Sequence, residues 1–305
     1  MAISTGIWIG ATLAATVAQT ARNAMQGALV GEIGAAGATQ VRFIYGFPFA
    51  CIFLAVICLA GGERPAAPTW AFALYALAGA VTQIFGTALM LWAISRRNFA
   101  TGIAYTKTEP VLVALFSVAA LGEHLGPAAW AGVITASAGV WLMSVTPGAR
   151  PPQPAPGDAW RAPAAGIGSA ALFALSSVCF RGAILALADG GFLVRASTAL
   201  AASLAMQSVI LGLWLALFDR PAFAGSLRLW RASFGAGFMG ALASQLWFTG
   251  FSLTSAANVR TLALLEAPFA QVVSRRVFHE TPAPREMLGA ALVVAGVAAL
   301  LASWG

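Results

Sequence analysis

The sequence predicts an all-α membrane protein with ten transmembrane helices arranged as two inverted five-helix repeats. Three observations predict this fold class. The 305 residues are 60% hydrophobic and only 9% charged, whereas a surface that meets water carries about 25% charged residues. Ten apolar segments follow one another along the chain, each near the roughly 20 residues that cross a bilayer. The two halves of the chain also resemble each other.

The composition excludes most soluble functions. A mean hydropathy of +0.83 leaves too few polar residues to cover a globule in water. The net charge of +7 comes from scattered arginines without a basic run, so we expect no nucleic-acid partner. The three cysteines (Cys51, Cys58 and Cys179) lie in apolar stretches without metal-ligand spacing, so we expect no disulfide framework, no metal and no cofactor.

The ten predicted spans are separated by clusters of Gly, Pro and charged residues. They are continuously apolar rather than alternating, which predicts helices and not barrel strands. In order, they cover residues 5–29, 39–60, 69–93, 99–121, 127–146, 163–185, 193–217, 229–252, 256–278 and 286–303. The Pro-rich stretch 147–162 is the only loop long enough for a linker. We therefore predict a first repeat over 1–146 and a second over 163–305.

One sequence shift relates the two halves. Moving the sequence by 157 residues aligns Glu109 with Glu266, Glu123 with Glu280, Gly132 with Gly289 and Gly139 with Gly296. A unit of five spans that repeats in tandem must insert its second copy upside down. Inverted repeats are typical of secondary transporters, whose substrate site lies at the repeat interface near the bilayer midplane.

The loop arginines indicate an orientation. Nearly all of them fall on one predicted face, with Arg64 as the main exception: Arg96, Arg97, Arg150, Arg161, Arg220, Arg228, Arg231, Arg275, Arg276 and Arg285. The positive-inside rule makes that face cytoplasmic and places both termini outside.

A family resemblance joins these observations. Residues 109–144, EPVLVALFSVAALGEHLGPAAWAGVITASAGVWLMS, resemble the EamA-type repeat of the drug/metabolite transporter superfamily: Glu-Pro, an apolar helix, Leu-Gly-Glu and a closing helix with two glycines. The second copy, 266–303, departs from the pattern with Glu-Ala-Pro and Phe278-His279-Glu280. Arg42-Phe43 is similar to the family's arginine in span 2.

The resemblance implies a ten-span transporter of the inner (plasma) membrane and not an enzyme. Family substrates include amino acids, sugars, nucleotide derivatives and drugs, so the resemblance does not select one. Its members keep both termini in the cytoplasm, which is opposite to the orientation that the loop arginines indicate.

Span 1 carries the strongest polar feature. Spacings of three, four and seven place four side chains on one helical face: Gln19, Arg22, Asn23 and Gln26. Polar side chains at membrane depth cost several kcal/mol unless they have a partner or a water-filled cavity. We predict that this stripe lines a substrate pathway. The alternative is that Arg22 pairs with Glu109 or Glu266.

Two spans contain a proline beside a glutamate. In span 4, Thr101, Tyr105 and Thr108 share a face, Glu109 lies beside them, and Lys107 lies about 160° around the helix from Glu109. Pro110 would free one backbone carbonyl there, and Pro268 would do so in span 9, near Arg260 and Glu266. Broken helices are typical of transporter sites. The alternative is a packing kink.

The remaining candidates are single residues. Gln83, Arg181 and Gln245 are predicted to bind substrate, whereas Arg42 and Arg195 open their spans and are expected to snorkel. Trp92, Trp214 and Trp247 could stack on a ligand, although interfacial anchoring is the expected role. Inside the predicted spans, six basic residues outnumber two glutamates. This excess favours an anionic ligand if two of the basic residues stay unpaired. If the glutamates neutralise the cavity, a zwitterion is favoured instead.

These features favour a secondary active transporter of a small organic metabolite by alternating access, with amino-acid efflux as the first hypothesis. The alternative is an exchanger or uptake carrier for an organic or phosphorylated anion. Glu109 and Glu266 are the proton-coupling candidates. An enzyme is disfavoured because HExxH is absent and both histidines lie in loops; a channel is a further alternative. We expect a monomer or homodimer in the bilayer.

Overall fold

The computed structural model describes residues 2–96, 108–144, 161–269 and 283–302, and these residues contain helices and no strands. The α-helices are Ala2–Gly61, Trp70–Arg96, Glu109–Leu121, Pro127–Ser144, Arg161–Leu185, Phe192–Phe218, Arg220–Arg228, Trp230–Leu253, Ala256–Leu262 and Pro284–Ala302. The predicted bounds of spans 3, 5, 6, 7, 8 and 10 agree with the structure within three residues. The all-α class is confirmed.

Spans 1 and 2 meet at a single residue instead of a loop. The predicted loop over residues 30–38 is wrong, because Ala2–Gly61 is helical except at Gly34, where φ is 69° and ψ is 172°. Glycine adopts positive φ without a steric penalty, so one residue is enough to reverse the chain. The Gln26 side-chain amide donates across this turn to the Ala38 carbonyl at 2.8 Å. Span 1 is therefore 2–33 and span 2 is 35–61.

A short extra helix occupies the predicted break between spans 7 and 8. Arg220–Arg228 forms a helix of its own, capped by the Asp219 carboxylate, which accepts a hydrogen bond from the Ala222 amide at 3.2 Å. Asp at the N-cap and Pro in the first turn are helix-start signals. The prediction that Arg220–Arg228 belongs to a loop is therefore wrong.

The outer surface of the bundle is apolar. Within the described residues, five helical runs are long and apolar enough to cross a membrane, and one of them, Ser4–Gly61, holds spans 1 and 2. Large apolar side chains such as Leu59 and Trp70 are 83% and 78% exposed. Trp214 is 49% exposed and packs beside Phe218, as expected of an interfacial anchor. This surface fits lipid rather than water.

Spans 5 and 10 pack in a reciprocal, antiparallel manner. A Cβ atom on Gly132 would lie 2.7 Å from the Gly296 carbonyl oxygen, and one on Gly139 would lie 2.5 Å from the Gly289 oxygen. The 157-residue shift exchanges these two contacts, because it maps Gly132 onto Gly289 and Gly139 onto Gly296. A two-fold rotation about an axis perpendicular to the helices exchanges the two contacts in this way. The two spans are therefore inverted relative to each other.

The two ends of the bundle differ in charge. At one end the Glu63 carboxylate accepts a hydrogen bond from the Gly191 amide at 2.8 Å, and Asp189 accepts one from the Ala67 amide at 2.7 Å. We call this end, which also carries Glu123, the acidic face. The opposite end, called the basic face, carries these described arginines: Arg161, Arg220, Arg228, Arg231 and Arg285.

Candidate functional site

A polar cavity lies in the middle of the bundle, between the two halves of the chain. The space between its lining atoms is about 760 Å³, including the part open to solvent. Both halves contribute to the lining, which consists of Gln19, Thr20, Arg22, Asn23, Arg42, Gln83, Met90, Glu109, Phe173, Phe180, Ser244, Trp247, Phe248, Phe251, Arg260 and Glu266.

An ion pair crosses the cavity between spans 9 and 4. Arg260 Nε lies 3.0 Å from Glu109 Oε1, and the two side chains are 10% and 13% exposed. The same Nε donates to Ser177 Oγ at 3.1 Å. The guanidinium carbon lies 4.4 Å from the centre of the Trp247 ring, a cation–π distance. Arg260 therefore lies at membrane depth and not at the interface.

The two predicted helix breaks have different outcomes. In span 9, a 3₁₀ segment over Ala263–Leu265 separates Ala256–Leu262 from Glu266, next to the carbonyl that Pro268 would free. The Glu266 carboxylate accepts a hydrogen bond from the Thr20 hydroxyl. In span 4, the described helix begins at Glu109 with Pro110 in its first turn. There Pro110 breaks no described helix interior, because first-turn amides have no helical partner.

The polar stripe of span 1 faces the cavity over three of its four residues. Gln19 Oε1 accepts a hydrogen bond from Trp247 Nε1 at 3.1 Å. Arg22 donates to Asn23 Oδ1 from Nη2 at 2.7 Å and from Nε at 3.2 Å. Glu266 lines the same cavity and interacts with Arg22 electrostatically, so pairing of Arg22 with Glu266 stays an alternative to a substrate contact. Gln26 is fully buried at the turn instead.

Arg42 is the functional residue that sequence reasoning most clearly missed. It was expected to snorkel, but it is only 3% exposed and lines the cavity. Its Nη1 donates to Thr87 Oγ1 at 3.1 Å, and its guanidinium carbon lies 5.5 Å from the centre of the Phe43 ring. The short turn at Gly34 causes the difference, since it starts span 2 earlier and places Arg42 two turns inside the bundle.

The other predicted site residues divide into three groups. Gln83 lines the cavity and accepts a hydrogen bond from Gln207 at 2.8 Å. Thr108 and Gln245 are not among the described lining residues, although both amide atoms of Gln245 are buried without a partner. Thr101, Tyr105 and Lys107 lie outside the described residues.

Arg181 does not line the central cavity, contrary to the prediction. Its Nε lies 2.6 Å from Glu123 Oε1, and its Nη1 donates to the Phe251 carbonyl. These contacts place it in a second, open pocket at the acidic face, beside His124 and Asn258. The long side chain extends toward the helix end because a carboxylate partner lies there.

Aromatic side chains border the cavity toward the acidic face. The Phe180 and Phe248 ring centres are 4.8 Å apart, and those of Phe248 and Phe251 are 6.3 Å apart. All three residues lie within two turns of the helix ends at that face. Together with the Arg181–Glu123 ion pair, they lie between the centre of the cavity and the acidic face. Apolar residues in apolar spans carry no sequence signal, so these lining positions were missed.

No resident metal centre is evident in the part of the chain that the structure describes. There, His, Cys, Asp and Glu side chains do not form any group of three that could hold a metal ion. The chemistry available at the cavity is recognition by guanidinium, carboxylate, amide and aromatic groups.

Comparison with known proteins identifies the first half. The pattern of the EamA-like transporter family matches residues 6–145. This part of the chain is similar to the EamA-like transporter family. The match indicates a membrane transporter of the drug/metabolite transporter superfamily, in agreement with the resemblance in the sequence.

Two further comparisons bear on the whole chain. A solved structure described only as "Crystal structure of protein" superposes with a TM-score of 0.68, at 20% identity, over 99% of this chain and 98% of its own. At that identity the likeness shows the fold alone, and it covers nearly the full length of the chain. No curated protein matches the chain.

Proposed function

We propose that the protein is a secondary active transporter that exports amino acids or related small organic metabolites by alternating access. The observation that carries this proposal is the mixed-charge cavity between the two halves, where Arg22, Arg260, Glu109 and Glu266 meet among amide and aromatic groups. Charged groups at membrane depth mark a pathway for a polar substrate. The protein acts in the cytoplasmic (inner) membrane as a monomer or homodimer.

The arrangement of the bundle supports alternating access. We assign the repeats to residues 1–146 and 163–305, joined by the linker 147–162, and every lining segment belongs to one of the two repeats. Rocking one repeat against the other would open the cavity to each side in turn. The Phe180, Phe248 and Phe251 layer and the Arg181–Glu123 ion pair are the contacts that opening toward the acidic face must separate.

Glu109 and Glu266 are the proposed proton-coupling groups. They occupy equivalent positions in the two repeats and are the carboxyl groups that line the cavity. Protonation of Glu109 would weaken its ion pair with Arg260, so substrate and proton occupancy would be linked through one contact.

A second candidate function is exchange or uptake of an organic or phosphorylated anion. The three guanidinium groups of Arg22, Arg42 and Arg260 outnumber the two carboxyl groups of the described lining. This excess favours an anionic substrate over a cationic one.

Counterflow in proteoliposomes tests transport. Vesicles containing purified protein are loaded with one candidate solute, and uptake of the labelled solute is compared with protein-free vesicles. The panel holds amino acids, carboxylates, phosphorylated sugars and lipophilic cations. We expect accumulation of at least one amino acid or organic acid. A protein that leaks every solute at equal rates without counterflow would be a channel, and the proposal would be wrong.

The coupling groups are tested in the same vesicles. We expect Glu266→Gln, and the purified folded fraction of Glu109→Gln, to retain exchange and to lose its dependence on an imposed pH gradient, because glutamine cannot take up a proton. Unchanged pH dependence in both variants would contradict coupling through these residues. Arg231→Gln at the basic face is the control, since it changes one charge outside the cavity.

A further inference from the structure

Arg22 and Arg42 form a buried pair of cations beside the cavity. They are 2% and 3% exposed. A Cβ atom on Gly240 would lie 3.3 Å from Arg22 Cδ and 3.4 Å from Arg42 Cγ, so the two side chains lie against the same point of span 8. Two like charges that are buried side by side repel each other, and burial is costly for each of them unless an anion is present.

The two arginines differ in this respect from two other arginines inside the described bundle. Arg260 and Arg181 each have a carboxylate partner, at 3.0 Å and 2.6 Å. The hydrogen-bond acceptors of Arg22 and Arg42 are neutral oxygens, Asn23 Oδ1 and Thr87 Oγ1. These acceptors hold the guanidinium groups in position without neutralising their charge.

Each arginine also keeps a donor without a partner. Arg22 Nη1 and Arg42 Nε are buried nitrogen atoms that form no hydrogen bond. A buried donor without an acceptor costs about 1–3 kcal/mol, and a guanidinium matches the planar oxygens of a carboxylate. The pair therefore has both the charge and the unpaired donors that a ligand oxyanion would satisfy.

The charge of the cavity selects among oxyanions. With both carboxyl groups ionised, the described lining has three positive and two negative side chains, a net charge of +1. A ligand with one net negative charge neutralises this lining, whereas a phosphate ester with two charges would overshoot it. The Trp247 ring and the Phe180 ring lie on the opposite side of the cavity from the basic face and suit a small apolar body.

We propose that Arg22 and Arg42 form the anion subsite of the transporter, and that its substrate is a singly charged carboxylate: an organic acid or an acidic amino acid. This inference rests on the proposed function, because the ligand of the pair is a substrate only if the protein is a transporter. It narrows that function, because a zwitterionic amino acid carries no net charge and would leave the described lining at +1.

Acid and amide isosteres test the subsite directly. Purified protein in detergent is titrated, with thermal unfolding as the readout, against L-glutamate and L-glutamine, lactate and lactamide, pyruvate and pyruvamide, and glycerol 3-phosphate. We expect at least one acid to raise the unfolding temperature and its amide to leave it unchanged. A ligand at a hundred times its Kd is readily detected in this way.

Matched variants assign the effect to the pair. Arg22→Gln and Arg42→Gln should each weaken binding of that acid by about tenfold to a hundredfold, which is the size of one charged hydrogen bond. Arg42→Lys should restore only part of the affinity, because an ammonium lacks the planar fork. Arg231→Gln, on the surface, should bind like the parent protein. Folding of each variant is checked by its own unfolding temperature without ligand.

Three results would overturn the inference: equal shifts for acids and amides, acid binding that is unchanged in both glutamine variants, or tighter binding of glycerol 3-phosphate than of every carboxylate. The transport proposal fails separately. Acid binding without counterflow would leave the subsite in place and remove the transporter function, whereas counterflow of a neutral solute by the Arg42→Gln variant would do the reverse.

Discussion

At the scale of residues, the charged side chains of the cavity differ in the groups that they contact. Arg260 has a carboxylate, a hydroxyl and an indole ring within contact distance, whereas Arg22 and Arg42 have neutral acceptors. The contacts of Arg260 stabilise the protein without a ligand. Arg22 and Arg42 can still gain an ion pair, because for them it forms only when an anion binds.

The Arg260–Glu109 ion pair predicts that substitutions of the two residues have strongly non-additive effects on the free energy of unfolding. Removing one partner leaves the other charge buried alone, and such changes cost about 3–5 kcal/mol of unfolding free energy. We expect Arg260→Gln or Glu109→Gln to be strongly destabilising, and the double variant to lose clearly less than the two single losses together. Unfolding in mixed detergent micelles by titration with SDS measures all three.

The surface variant Arg231→Gln is the control for this cycle, and it should change stability by less than about 0.5 kcal/mol. If the losses of the two single variants simply add, the 3.0 Å contact contributes no coupling, and the ion pair is not a stabilising feature of the site.

At the scale of elements, glycine determines where helices approach closely. Spans 5 and 10 meet at Gly132, Gly139, Gly289 and Gly296, with each backbone against the other. Close approach of this kind favours van der Waals packing, which is the main attraction between helices in lipid. The same four glycines carry the inverted symmetry, so packing and repeat architecture depend on the same residues.

Gly139→Ala tests this contact. The new methyl group would lie 2.5 Å from the Gly289 carbonyl oxygen, so spans 5 and 10 must separate. We expect a loss of about 1–3 kcal/mol, seen as a lower unfolding temperature in detergent. Gly10→Ala in span 1 is the matched control: its methyl group would meet no atom within 4 Å, and alanine favours a helix. Equal behaviour of the two variants would contradict close packing at Gly139.

At the scale of the whole molecule, charge distinguishes two faces. The described arginines Arg220, Arg228 and Arg231 lie on the basic face, and the carboxylates Glu63 and Asp189 lie on the acidic face. The positive-inside rule predicts that the basic face is cytoplasmic. Export would then release substrate at the acidic face, past the aromatic layer and the Arg181–Glu123 pair.

Cysteine labelling tests this orientation. Ala188 on the acidic face and Ala224 on the basic face are both exposed, so Ala188→Cys and Ala224→Cys form a matched pair in a background without the three native cysteines. We expect a membrane-impermeant maleimide to label only Ala188→Cys in intact cells, and both variants after permeabilisation. Labelling of Ala224→Cys alone would support the opposite orientation, with both termini in the cytoplasm.

Much of the site could be predicted from the sequence. Gln19, Arg22, Asn23, Glu109 and Glu266 line the cavity as predicted, because polar residues in an apolar span have few other places to go. Arg42 and Arg181 were assigned the wrong environments. Whether an arginine near a helix end faces the cavity or the end depends on the turn before it and on its carboxylate partner, and a span boundary does not reveal either.

The sequence by itself determined that the protein is a helical membrane protein with related halves, since hydropathy, span length and repeat shift are properties of the chain alone. Only the tertiary structure decided which charges pair. Arg260 forms an ion pair with Glu109, which is distant in sequence. The one-residue turn at Gly34 brings Arg22 and Arg42 to the same point of span 8. Pairing between spans depends on their packing and rotation, and hydropathy carries no information about either.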